Sequence, residues 1–320
     1  MIVSPRGHGN AAMVGGNLMV IYSSDGGGNS SNGGFDLWDI SNPRQPVLFK
    51  RYDDSNTHAL REAHGFAFST SYPMDVLAVQ TVEGMQFWDV TDPADFKLLS
   101  NLDLPHINGG DYAGIWWVFF QAPYVYAAGT GEGLYIIDAQ DPTQPQLANW
   151  IPTSELAGLS PAQVFALGNL LVLVEHEGAK IVTLDISDPI QPRLLASALG
   201  GFGYSHLFAG GKVLTSGGPQ LESVLPVLQG MEPIPAPRTM GVTDIGHDGS
   251  ITFRYHGSDS GGLDQGGYGS VQDGYFISGF SKQVAKFDIA SGELLGTGTA
   301  GIHDSDEDFG LVLGNLIWGG

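Results

Sequence analysis

The sequence predicts an all-β protein built from repeated four-stranded units, on three observations. Short apolar runs rich in Val, Ile, Phe, Tyr and Trp are cut at regular intervals by turn residues. The chain holds 47 glycines and 18 prolines, placed as punctuation rather than in one low-complexity block. One phrase, an apolar run closing on Asp before a Pro-containing turn, returns along the chain.

The first copy is "GFDLWDISNPRQPVLF" from Gly34, followed by "GMQFWDVTDPADFKLL" from Gly84 and "GLYIIDAQDPTQPQLA" from Gly133. "AKIVTLDISDPIQPRLLA" opens at Ala179, and a worn copy, "QVAKFDIASGELLGT", opens at Gln283. The aligned residues are Asp39, Asp89, Asp138, Asp185, Asp244 and Asp288, with gaps of 50, 49, 47, 59 and 44 residues. HEAT units have a similar period but need helices, and apolar runs this short are strands.

Each unit divides into four strands. In the second they are "HGFAFST", "DVLAVQT", "GMQFWDVT" and "FKLLSNLDL"; in the third, "GIWWVFFQ", "YVYAAGT", "GLYIIDAQ" and "PQLANWIP". One such sheet leaves a face bare, whereas several arranged radially cover one another, which is the β-propeller solution. The apolar run is then the third strand and "D-x-[ST]-[DN]-P" the turn to the fourth, where a carboxylate accepts backbone N–H bonds. A residue repeated on every outer turn does not converge on one site, so these aspartates are expected to be structural.

The four clear phrases, "FDLWDISNPRQP", "MQFWDVTDPADF", "LYIIDAQDPTQP" and "IVTLDISDPIQP", resemble the LVIVD repeat of bacterial surface and secreted proteins. The resemblance implies a β-propeller and export to the cell surface, the periplasm or the medium, and it brings no activity with it.

As one propeller domain over residues 1–320, the blades are expected at 8–53, 62–105, 112–153, 161–199, 204–257 and 267–299. Residues 304–320 read as two strands of a seventh, incomplete blade, with six blades as the alternative. An incomplete blade leaves a strand edge open and predicts self-association. The fifth unit carries a proline-rich insertion at 219–238, a loop over a channel mouth or a ligand-binding loop. The "IWWVFFQ" run is expected to fill the core between blades.

A formal charge of −21, from 13 Lys and Arg against 34 Asp and Glu, argues against nucleic acid and anionic membranes as partners. The chain has no cysteine, hence no disulfide and no thiolate chemistry. No run reaches the roughly 20 apolar residues of a membrane span. "MIVSPRGHGN" has no signal-peptide pattern, so export would require a leader already removed.

Chemistry is sought where first strands begin, since those ends converge on a propeller's channel mouth. The candidates are His8, Glu62, His64, Asp111, Tyr112, Gln163, His206, Asp264 and Tyr268. For a metal they are His8, His64 and His303 with Asp304, Asp306 and Asp308; imidazoles suit a transition metal and carboxylates Ca2+. Without chelating spacing in the sequence, water in a polar channel is the simpler occupant.

No G-x-S-x-G elbow, H-E-x-x-H pair or nucleotide loop in its strand–turn–helix context is present. Two functions remain. One is an exported binding module for a macromolecule or surface glycan. The other is a metal-dependent oxidoreductase, lyase or lactonase at the channel mouth.

Overall fold

In a computed structural model of the chain, the described residues are 9–23, 33–52, 65–108, 113–175, 178–203, 205–217, 239–257, 266–280, 283–298, 310–313 and 316–319. They form six four-stranded antiparallel sheets and one hairpin. The first blade is β1 (Gly9–Val14), β2 (Asn17–Ser23), β3 (Gly33–Asp39) and β4 (Val47–Tyr52). The second is β5 (Phe66–Ser69), β6 (Val76–Gln80), β7 (Gly84–Asp89) and β8 (Lys97–Asp103). The third is β9 (Trp117–Gln121), β10 (Tyr124–Ala128), β11 (Leu134–Asp138) and β12 (Gln146–Ile151). The fourth is β13 (Pro161–Leu167), β14 (Leu170–Glu175), β15 (Gly178–Asp185) and β16 (Arg193–Gly203). The fifth is β17 (Ser205–Ala209), β18 (Lys212–Ser216), β19 (Met240–Ile245) and β20 (Ile251–His256). The sixth is β21 (Gly266–Gln272), β22 (Tyr275–Phe280), β23 (Gln283–Asp288) and β24 (Leu294–Gly298).

Six complete blades match the alternative count rather than the seven-bladed reading. Beyond residue 304 the described residues add only the hairpin β25 (Gly310–Leu313) and β26 (Leu316–Gly319), packed on β21 and β22.

The chain divides into two compact units, residues 1–169 with 186–192, and residues 170–185 with 193–320. In the first unit, blades one and two meet through large side chains. Phe35 stacks on Tyr52 at 4.8 Å, and Trp88 meets both edge-on at 5.2 and 5.5 Å. Val76, Phe87, Ile115, Val125 and Tyr135 belong to the cluster between blades two and three. "IWWVFFQ" fills that role as expected: Trp117 and Phe119 face Phe165 of β13, while Phe120 faces Phe87 of β7.

In the second unit, Leu214, Met240, Phe276, Phe280 and Phe287 form the core between blades five and six. Its fourth-blade strand β16 is 11 residues long and ends four residues beyond the expected 199. Glycines allow this run to lie against the fifth blade, because a Cβ at Gly203 would stand 2.3 Å from the Ser216 carbonyl oxygen.

The repeat aspartates close their own turns. Asp39, Asp89 and Asp138 each accept the N–H two residues on, from Ser41, Thr91 and Gln140, at 2.8, 3.0 and 2.9 Å. A second carboxylate or amide then repeats the device. Asn42, Asp92, Asp141 and Asp188 accept from Arg44, Ala94, Thr143 and Ile190. The carbonyls of the same four residues accept the N–H three residues on, completing a β-turn. The Thr91 and Thr143 side chains first, with these backbone bonds, hold the carboxyls of Asp89 and Asp141 below the usual carboxylate range, and the Ser41 N–H does so for Asp39.

All six blades share one irregularity. The register between third and fourth strands slips between the two residues just before the repeat Asp, at 37/38, 87/88, 136/137, 183/184, 242/243 and 286/287. One extra outer-strand residue bulges there: Phe49, Leu99, Ala148, Leu195, Arg254 or Leu295. The shared bulge also puts Asp244 and Asp288 in line with the four clear repeats.

Candidate functional site

Most of the residues that the sequence singles out lie outside the described residues. These are His8, Glu62, His64, Asp111, Tyr112, Asp264, His303, Asp304, Asp306 and Asp308, together with the 219–238 insertion. Gln163, His206 and Tyr268 are described, and all three are buried, with 1, 2 and 6% of their surfaces exposed. Gln163 lies in β13 of the first unit; His206 in β17 and Tyr268 in β21 belong to the second. Among the described residues, no three His, Asp or Glu side chains are grouped to hold a metal ion.

Burial pushes the His206 imidazole down to about 4, and hydrogen bonding with the backbone of Gly201 and Gly178 offsets part of that. A ring neutral at physiological pH and held within the blade packing serves the fold; sequence alone does not separate it from an accessible imidazole. Burial pushes the Tyr126 hydroxyl up to about 12 and that of Tyr135 up as well, and both donate, to the carbonyls of Pro189 and Pro105.

The accessible surface is distinctive on the outer strands. The residue opposite the position just before each repeat Asp is apolar in every blade: Leu48, Leu98, Leu147, Leu194, Phe253 and Leu294. Four of them are well exposed, Leu48 at 38%, Leu98 at 37%, Leu194 at 45% and Phe253 at 40%. The neighbouring position, opposite the Asp itself, is polar or cationic in blades two to five: Lys97, Gln146, Arg193 and Thr252. In blade one it is Val47. The signal was present in the sequence as "PVLF", "FKLL", "PQLA" and "PRLL" after each turn, but which of these side chains face solvent depends on the bulge.

Comparison with known proteins agrees with this architecture. The LVIVD repeat family matches residues 30–54 and 121–153. No curated protein matches the chain. Among solved structures, the periplasmic gluconolactonase of Pseudomonas aeruginosa is similar over 96% of this chain and 88% of its own, at 12% identity and a TM-score of 0.65. The β-propeller domain of Cps50 from Myceliophteria thermophila is similar over 96% and 89%, at 10% identity and a TM-score of 0.62. BamB from Moraxella catarrhalis is similar over 97% and 78%, at 12% identity and a TM-score of 0.52. At such identities the likeness is one of fold.

Proposed function

We propose that this β-propeller, which carries LVIVD repeats at residues 30–54 and 121–153, is an exported module that binds another macromolecule, a partner protein or a surface glycan, at the cell surface or in the periplasm. The observation that carries this reading is the repeated exposed apolar residue on the outer strands, Leu48, Leu98, Leu194 and Phe253, on a chain of net charge −21. Apolar side chains kept in water at one register position offer contact area to a macromolecule. The repeat aspartates, by contrast, are engaged in their own turns. The LVIVD repeats and the fold likeness to a periplasmic protein support export.

The second reading is a metal-dependent enzyme working through His8, His64 and His303 with Asp304, Asp306 and Asp308, and holding Ca2+ or a transition metal. Fold likeness to a gluconolactonase along nearly the whole chain favours a lactonase within that class. Elemental analysis of the purified protein, joined to a gluconolactone hydrolysis assay, separates the two. The binding reading expects no stoichiometric Cu, Zn or Fe and hydrolysis at the uncatalysed rate. Stoichiometric metal together with chelator-sensitive lactone opening would overturn it.

A further inference from the structure

In blades two, four and five the repeat Asp has a cation on the outer strand. Asp185 pairs with Arg193 at 2.9 Å, Asp244 pairs with Arg254, and Asp89 faces Lys97 across the strand pair. Such a Lys or Arg does two things. It neutralises the carboxylate, and it keeps a charge on an edge strand that would otherwise invite pairing.

Among the described residues, blades one, three and six lack the device, and blade one alone sets three exposed apolar residues in its place. Asp39 is exposed and faces Val47, and among the described residues its carboxylate is held by the Ser41 N–H and by no cation. The cations nearest in sequence on β4 are committed elsewhere. Lys50 bonds to Asp95 at 2.9 Å, and Arg51 makes a two-pronged pair with buried Asp36 at 2.8 and 2.9 Å. What β4 presents instead is three consecutive apolar side chains in water: Val47 at 61%, Leu48 at 38% and Phe49 at 48%. β4 is also the outermost strand of its sheet, and among the described residues no strand pairs with its far side.

We propose that the β4 edge takes an extended segment of a partner protein by strand addition, and that this segment sets a Lys or Arg beside apolar side chains. The partner's cation would meet Asp39, as Arg193 meets Asp185 within the fourth blade. Its apolar residues would cover Val47, Leu48 and Phe49, and its backbone would pair with the β4 edge. Charge favours a basic partner over a second copy, because two chains of −21 repel as they approach.

The proposal rests on the binding-module reading and names its surface. The probe is a synthetic extended peptide alternating valine and lysine, with a valine–glutamate peptide as its counterpart, titrated calorimetrically against the whole chain. The lysine peptide is expected to bind one-to-one and the glutamate peptide not at all. Val47→Lys, which restores the cation found in blade two, is expected to weaken binding about tenfold or more. The doubly substituted Val47→Thr, Phe49→Ser chain leaves the charge unchanged and is expected to lose affinity to a similar degree. Unaltered circular dichroism and melting temperature establish that both variants fold.

Absence of binding overturns the proposal. So does binding that both variants leave within about twofold, which would be general attraction to an acidic surface. Concentration-dependent dimerisation abolished by Val47→Lys overturns it as well, in favour of a second copy on β4. None of these results touches the metal and turnover measurements, by which the binding-module reading itself stands or falls.

Discussion

Asn149 on β12 donates its side-chain N–H to the carbonyl of Ile190, in the turn after the fourth repeat Asp, at 2.7 Å. Asn149 stands opposite Ile136, two positions before its own repeat Asp. The same outer-strand position is used elsewhere. Lys50 reaches the Ala94 carbonyl and the Asp95 carboxylate, Ser100 the Pro142 carbonyl at 2.8 Å, and Tyr255 the Ile289 and Ala290 carbonyls. The fourth strands of blades one, two, three and five thus clasp the following Asp turn by one side chain at one register, whereas Ala196 and Gly296 stand at that position in blades four and six.

Replacing Asn149 with Ala should lower the free energy of unfolding by about 1–2 kcal/mol, because the half-buried Ile190 carbonyl loses its donor. Ser100→Ala should cost somewhat less, about 1 kcal/mol, for a smaller group in a similar place. Urea titrations check both. Equal stability of Asn149→Ala and the parent chain would mean that the clasp contributes nothing.

The first turn carboxylate should act by accepting a hydrogen bond, not by its charge. Asp89→Asn keeps an acceptor for the Thr91 N–H, whose bond to Asp89 is 3.0 Å long, and should stay within about 0.5 kcal/mol of the parent. Asp89→Ala removes the acceptor and should cost about 1–2 kcal/mol. Neither should alter binding per folded molecule. An Asn variant as unstable as the Ala variant would sink this account.

These turns were legible in the sequence because each is closed by residues within a few positions of one another. Asp39, Ser41, Asn42 and Arg44 carry their whole hydrogen-bond pattern in one short phrase. The bulges at Phe49 and Leu195 were not legible, since they are properties of a pairing between strands. His206 was read as a channel residue because strand starts converge; its burial arises from its surroundings, which no local pattern specifies. The six-bladed alternative, not the seven-bladed reading, matches the structure, and the C-terminal end was ambiguous for a related reason. "DFGLVLGNLIWGG" has the alternation of two strands, and a hairpin reads the same whether or not a blade follows.

The Asp36–Arg51 pair should behave as a buried ion pair. The Asp36 side chain is 1% exposed and that of Arg51 32%. Asp36→Ala would leave the guanidinium without its two-pronged partner in a largely covered place, at a cost of roughly 3 kcal/mol. Replacing both, as Asp36→Leu with Arg51→Met, should recover most of that loss, because the desolvation of both charges disappears together. Thermal melts of the single and double variants decide it, and a double variant worse than the single one would contradict the prediction.

His206 should make the protein lose stability over a defined acidic window. Its folded-state value of about 4 lies below the ordinary 6.5, so the unfolded chain takes up a proton that the native ring refuses. Its contribution is fully present above pH 6.5 and falls as the pH drops towards 4, by at most roughly 3 kcal/mol. The carboxyls of Asp39, Asp89, Asp95, Asp141, Asp244, Asp248 and Asp288 are also held low, but from 3.8, so their contribution is lost only below that pH. The two windows therefore barely overlap. Chemical denaturation between pH 7 and 4 should show a decline in the parent chain that His206→Gln largely removes, since glutamine has no proton to accept. The difference between the two curves isolates His206 from the other histidines. Parallel curves would mean that His206 titrates alike in the folded and unfolded chain, and that its burial does not exclude the proton.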